Sequence, residues 1–171
     1  MVAVVSADGK MTQGDDSQVR HWSSSEDYEH FSAIMSQHQV VVMGRKTYEA
    51  VRPKPQPERL RVVLTTHPQK WQSEQVPGSL EFTSESPKDL VTRLEAAGHT
   101  KLMLVGGAQT NAVFLEAGLV NELQLTVEPM LFGSGADLLA GFVGNVPMKL
   151  LESRRLNERG TFLLHYQIVQ A

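Results

Sequence analysis

Two places where an apolar run meets a helical pattern carry residue types that can hold a phosphate. Val40-Val41-Val42-Met43 leads into Gly44-Arg45-Lys46-Thr47. Glycine lets a ligand approach the backbone, the Arg45 guanidinium offers a planar fork, and the Thr47 hydroxyl stands near the helix start. The set suits the 2′-phosphate of NADPH. At the second junction Leu102-Met103-Leu104-Val105 runs into Gly106-Gly107-Ala108-Gln109-Thr110. Consecutive glycines there let a ligand lie against the chain, and the dipole of the helix that follows favours a pyrophosphate. The spacing is not that of the G-x-G-x-x-G dinucleotide fingerprint. Each junction alone also reads as a plain turn; two of them in one small chain favour the ligand. A third glycine cluster, Pro129 to Gly135, either closes over the same ligand or forms a simple loop.

Asp27 is the acid of interest. It shares one helical face with Phe31 and Ile34, whereas Glu26 aligns with His30, Ala33 and Gln37. A carboxyl in a partly apolar cleft has its ionised form disfavoured and can relay a proton near neutral pH. Protonating the nitrogen of a C=N bond makes the adjacent carbon a better hydride acceptor, which is the chemistry such an acid would serve. The alternative is a first-turn acid placed for the helix dipole. Asp8, in Asp8-Gly9-Lys10, is either a substrate contact or part of a turn. Trp22 either walls a planar ligand or packs at a helix entrance. The six histidines show no paired metal spacing, so no metal site is expected.

The elements that must position these residues follow from periodicity. Val2 to Ser6, Val40 to Met43, Val62 to Thr65 and Lys101 to Val105 read as buried, central, parallel strands. Helices are expected from Ser25, from Ser86-Pro87 to Gly98, and from Ala108 to Ala117. Leu123, Leu125 and Val127 alternate with polar neighbours, as in a strand, and Met148 to Leu156 and Thr161 to Val169 read as an antiparallel hairpin. The alternation of strand and helix, closing on strands alone, predicts an α/β fold with a mostly parallel sheet covered on both faces. Pro53, Pro55 and Pro57 mark a stiff surface loop.

A chain of 171 residues with 41% hydrophobic and 20% charged residues is expected to form one domain over residues 1–171. A net charge of −3 argues against nucleic acid and anionic membranes as partners. No apolar run approaches the roughly 18 residues of a membrane span. The absence of cysteine excludes disulfides and thiolate chemistry, and points to the cytoplasm.

The sequence resembles the pyrimidine reductases of riboflavin biosynthesis, within the dihydrofolate-reductase-like superfamily. Ser6-Ala7-Asp8-Gly9-Lys10, Trp22 with Ser24, Gly44 with Thr47, and above all Gly106-Gly107 through Asn111, Phe114 and Glu116 to Leu123 carry that likeness. Residues 42–49, Trp22 with Asp27 and Phe31, and Arg59 ahead of Val62 to Thr66 resemble dihydrofolate reductase itself. The resemblance implies a three-layer α/β/α fold with antiparallel C-terminal edge strands, NADPH as cofactor, and a homodimer. It implies a cofactor site of Gly44, Arg45, Thr47, Thr65, Thr66, Gly106, Gly107, Ala108, Gln109 and Thr110. It further implies substrate contacts from Ser6, Asp8, Trp22, Ser24 and Arg59, with Asp27 as the catalytic acid. The pyrimidine reductases usually carry Lys and Glu where this chain has Val2 and Val105. The implied substrate is a ribosylamino-pyrimidine; a pterin, another acceptor, or nucleotide binding without catalysis are the alternatives.

Overall fold

The computed structural model describes residues 1–169. In chain order the elements are β1 (Val2–Ser6), α1 (Ser25–Ser36), β2 (Val40–Gly44), α2 (Arg45–Val51), β3 (Leu60–Leu64), β4 (Leu80–Thr83), α3 (Pro87–Ala96), β5 (Leu102–Leu104), α4 (Ala108–Glu116), β6 (Glu122–Glu128), β7 (Met148–Arg155) and β8 (Phe162–Ile168). The local chemistry explains their ends. Ser86 caps α3 by accepting from the Asp89 N–H at 3.2 Å, with Pro87 at the first position, where its missing N–H costs nothing. Ser24 caps α1 in the same way through Asp27 N–H at 3.2 Å. Beyond α4 the chain turns through Gly118, whose φ of 72° is the left-handed conformation that favours glycine.

Every residue of β2 is buried, because apolar layers cover both of its faces. On one side Val41, Met43 and Val63 pack with Ile34 of α1 and Tyr48 of α2. On the other, Val40, Val42 and Val62 pack with Leu90 and Leu94 of α3 and Phe114 of α4. That is the three-layer arrangement, and it accounts for a valine run with no polar alternation.

The strands divide into two sheets, β4-β3-β2-β5 and β1-β6-β8-β7. The first is wholly parallel, so its carboxyl ends meet at one rim. In the second, β1 runs parallel to β6, while β8 pairs antiparallel with both β6 and β7. This corrects two expectations. β1 and β5 are edges rather than central strands, and a cavity of about 390 Å³ is lined by residues of both. Of the hairpin strands only β7 is an edge; β8 lies inside its sheet. Strand β4 was not foreseen. Among the described residues no helix is long and apolar enough to cross a membrane.

Candidate functional site

Because β2 and β5 are parallel neighbours, the chain segments leaving their carboxyl ends lie side by side. Gly44 N–H donates to the Gly106 carbonyl at 2.7 Å. A Cβ on Gly44 would stand 2.4 Å from Thr110 Oγ1, and one on Gly107 would stand 3.2 Å from Thr47 Oγ1. Side chains at these two positions would therefore push the bends apart. The Gly106–Gly107 peptide is cis, and Gly106 has φ 89°.

Between the bends opens a cleft of about 680 Å³. Gly44, Arg45, Thr47, Thr65, Thr66, Gly107, Ala108, Gln109 and Thr110 all line it, whereas Gly106 stands behind the lining with its carbonyl turned to Gly44. Among the described residues no side chain caps the N-terminus of α4, which opens at this cleft, so its first N–H groups remain available to an anion. Arg45 pairs with Glu49 one helical turn away and is about two-fifths exposed, so its guanidinium is held at the rim. The residues fit a phosphorylated nucleotide: backbone without side chains at the narrow point, hydroxyls from three segments, and one forked cation.

The sequence did not reveal the whole lining. Thr83, Ser84, Glu85 and Pro87 contribute from the end of β4, and Met11, Thr12, Ser17, Val19, Ala136 and Ala140 from two loops. The alternation of Leu80 and Phe82 with polar neighbours was the available signal for β4.

Those two loops are fastened to each other by Asp8. Its carboxylate accepts from Phe132 N–H at 3.1 Å, from Gly133 N–H at 2.7 Å, and from the Ser6 hydroxyl. These bonds, the Ser6 hydroxyl foremost, hold its carboxyl down to a pKa of about 2. Met11 N–H donates to Ala136 O at 2.7 Å, Ala136 N–H to Thr12 Oγ1 at 2.8 Å, and Lys10 pairs with Asp137. Ser6 and Asp8 are thus engaged in building a roof over the cleft. The glycine cluster at 129–135 supplies the N–H groups that Asp8 holds, while Ala136 and Ala140 reach the lining.

Asp27 is 7% exposed. Burial raises its proton affinity above that of an ordinary carboxyl and the nearby Glu128 adds to this, while the hydroxyls of Thr126 and Ser23 pull the other way. Trp22 is 6% exposed, and its ring meets Phe132 edge-on at 5.0 Å. Its indole N–H is buried without an acceptor among the described residues. Ser24 serves as the α1 cap. None of Ser6, Asp8, Trp22, Ser24 and Asp27 lines the cleft itself; they form a corner beyond it, at the carboxyl ends of β1 and β6.

Arg59 lies elsewhere, against the expectation of a substrate contact. It precedes β3 and so sits at the opposite end of the sheet from the cleft. Its guanidinium donates to the Met35 carbonyl at 3.1 Å, to the His38 carbonyl at 3.3 Å and to Gln56 Oε1 at 2.6 Å. Two of these acceptors belong to the end of α1 and the turn after it, so Arg59 closes off that helix.

The two-sided sheet, the paired glycine bends and the cleft at the carboxyl rim define an α/β protein of the dihydrofolate-reductase-like class. Residues 1–162 match the RibD C-terminal domain family, and the chain belongs to it. It is similar to the uncharacterized protein YwjB of Bacillus subtilis (strain 168), with 26% identity over 130 residues, 74% of this chain and 71% of that protein. A pyrimidine reductase-like protein from Corynebacterium diphtheriae shares the fold with a TM-score of 0.82 and 15% identity, over 99% of this chain and 91% of the other. The diaminohydroxyphosphoribosylaminopyrimidine deaminase/5-amino-6-(5-phosphoribosylamino)uracil reductase of Thermotoga maritima does so with a TM-score of 0.78 and 16% identity. That match takes in 98% of this chain and 55% of the Thermotoga chain.

Proposed function

We propose that the chain is an NADPH-dependent reductase of the riboflavin-pathway type, acting on a ribosylamino-pyrimidine phosphate. The observation that carries this reading is the single cleft of about 680 Å³ on which Gly44–Thr47 and Gly107–Thr110 converge. Membership of the RibD C-terminal domain family supports it.

NADPH, when bound, supplies a hydride. The backbone at Gly44 and Gly107 gives a diphosphate room to approach, and the uncapped start of α4 offers it N–H donors. Arg45 and Thr47 are the residues for a further phosphate, with Thr65 and Thr66 presenting hydroxyls from the end of β3. Asp27 holds the proton. Its burial keeps a protonated carboxyl available at a higher pH than an exposed aspartate would allow, so it can protonate an acceptor nitrogen or oxygen as the adjacent carbon gains hydride. Asp8 pins together the two loops that bring Met11, Thr12, Ala136 and Ala140 to the cleft.

A pterin is the second reading, favoured by the buried Asp27 hydrogen-bonded by the Thr126 hydroxyl. A steady-state assay of NADPH consumption, run with 5-amino-6-(5-phosphoribosylamino)uracil and with dihydrofolate, separates the two. Turnover with the pyrimidine is expected; turnover with dihydrofolate alone transfers the assignment to the pterin. NADPH binding without turnover of any acceptor, unaltered by Asp27→Asn, would identify a nucleotide-binding module instead. We also infer a homodimer, supported by exposed apolar side chains of β7 and β8, namely Met148, Leu150, Leu151 and Phe162.

A further inference from the structure

Strand β6 buries a polar face. Thr126 and Glu128 stand two residues apart, hence on the same side, and are 2% and 0% exposed. Glu128 plays no part in the proton transfer assigned above to Asp27, and it does not line the cleft. A carboxyl removed so fully from water is retained only where its oxygens are satisfied. Both accept from neutral donors: Oε1 from the Ser24 N–H at 2.7 Å and Oε2 from the Thr161 hydroxyl at 2.7 Å.

These two bonds join three separate parts of the chain. Ser24 is the cap of α1, and its own hydroxyl accepts from the Asp27 N–H. Thr161, itself fully buried, is tied to Asn157 twice, through its N–H to Oδ1 at 3.1 Å and through Asn157 Nδ2 to Oγ1 at 3.0 Å. Asn157 Nδ2 also reaches Glu26 Oε2 on α1 at 3.2 Å. The first turn of α1 is therefore clamped from β6 and from the β7–β8 connection.

We infer that Glu128 is a positioning residue for Asp27: by holding the Ser24 amide it fixes the turn that carries Asp27. The inference rests on the reading of Asp27 as the proton carrier. Among the described residues, the polar groups that act on Asp27 are Thr126 and Glu128 from β6 and Ser23 from the segment before α1. Glu26, next to Asp27 on α1, is turned toward Asn157 and feels Arg159. Glu128 is thus the acidic neighbour whose removal Asp27 should sense. A second acid beside a carboxyl disfavours its ionisation, so replacing Glu128 by a neutral side chain must move the Asp27 titration to lower pH.

The test is a carbon-detected NMR titration of the Asp27 carboxyl, assigned by its loss in Asp27→Asn, in the unaltered protein, Glu128→Gln and Glu128→Asp. Single-turnover hydride transfer against pH and NADPH affinity by fluorescence accompany it. Glu128→Gln keeps an oxygen for the Ser24 N–H but removes the acid. Its Asp27 midpoint is expected to fall, the limb of the rate profile that follows it to fall equally, and NADPH affinity to stay constant. Glu128→Asp keeps the acid one methylene too short to hold Ser24. Its Asp27 midpoint is expected to stay high while hydride transfer drops on the order of tenfold through lost alignment. Hydride transfer unchanged in Glu128→Asp overturns the inference, as does a loss of NADPH affinity equal to the loss of rate. If Glu128→Gln does not fold, Glu128→Asp decides: unchanged midpoint and unchanged transfer refute a positioning role. A protein that reduces neither acceptor would defeat the proposed function, yet the titration would still show whether Glu128 acts on Asp27.

Discussion

At Asp27, the burial that suits a proton carrier opposes folding. The folded protein binds the Asp27 proton more tightly than the unfolded chain, whose aspartate titrates near the ordinary value of 3.8. In the pH window above that value the native state holds protons the unfolded state has released, so stability falls as pH rises through the raised native pKa. Asp27→Asn removes the ionisable group. It is expected to raise Tm at neutral pH, with the gain vanishing below the ordinary aspartate range, while turnover falls about 10²- to 10⁴-fold. Thermal melts across pH alongside steady-state rates test both halves, and a variant less stable than the parent at neutral pH would contradict the assignment. Arg45 makes a different demand. Its pairing with Glu49 holds the guanidinium at the mouth of the cleft, and a charge-assisted bond from it to a phosphate is worth roughly tenfold in affinity. Arg45→Ala should reduce the preference for NADPH over NADH by about that factor; an unchanged ratio of the two KM values would remove Arg45 from the phosphate site.

The elements meet where space is shortest. Gly44 ends β2 and Thr110 sits in the first turn of α4, and a methyl at Gly44 would press into the Thr110 hydroxyl. Gly44→Ala is therefore expected to destabilise by about 1–3 kcal/mol through overpacking and to weaken NADPH binding. Adding Thr110→Ala should recover most of the stability, because the remaining Cβ lies at an ordinary 3.6 Å, whereas Thr110→Ser keeps the clashing oxygen and should not. Denaturant melts of the three variants decide it, and failure of Thr110→Ala to rescue would place the cost elsewhere. At this scale the sequence was legible wherever one element's own pattern sufficed. The α3 start at Ser86-Pro87 and the α1 face of Asp27, Phe31 and Ile34 were both readable. In β6, however, the alternation of Leu123, Leu125 and Val127 marks those residues as the inner set, yet at its carboxyl end Thr126 and Glu128 are the buried pair. The reversal comes from α1, whose capped first turn lies against that face and supplies the bonds that make burial of a carboxyl tolerable.

For the molecule as a whole, the second sheet ends in β7, whose residues are all exposed and include Met148, Leu150 and Leu151. Exposed apolar side chains on an edge strand offer a surface to a partner, which the proposed homodimer would use. Light scattering is expected to report twice the chain mass, and Leu150→Lys to shift the protein toward the monomer. A monomeric parent protein at micromolar concentration would remove the dimer. The division between β1 and β5 also belongs to this scale, since no property of either strand alone shows that they are edges of separate sheets.

Local order came from the chain's own chemistry. Apolar runs without polar alternation specified strands covered on both sides, caps and glycines marked helix ends, and the two glycine-bearing junctions marked where a phosphate could approach. Each depends on neighbours a few residues apart, whose propensities and hydrogen bonds act before any tertiary contact forms. The tertiary structure alone brought Gly44 against Thr110, sent Arg59 to the far end of the sheet, and set Glu128 behind Asp27. Those outcomes rest on contacts between residues tens of positions apart, and such contacts are chosen by the packing of whole elements rather than by any pattern within one of them.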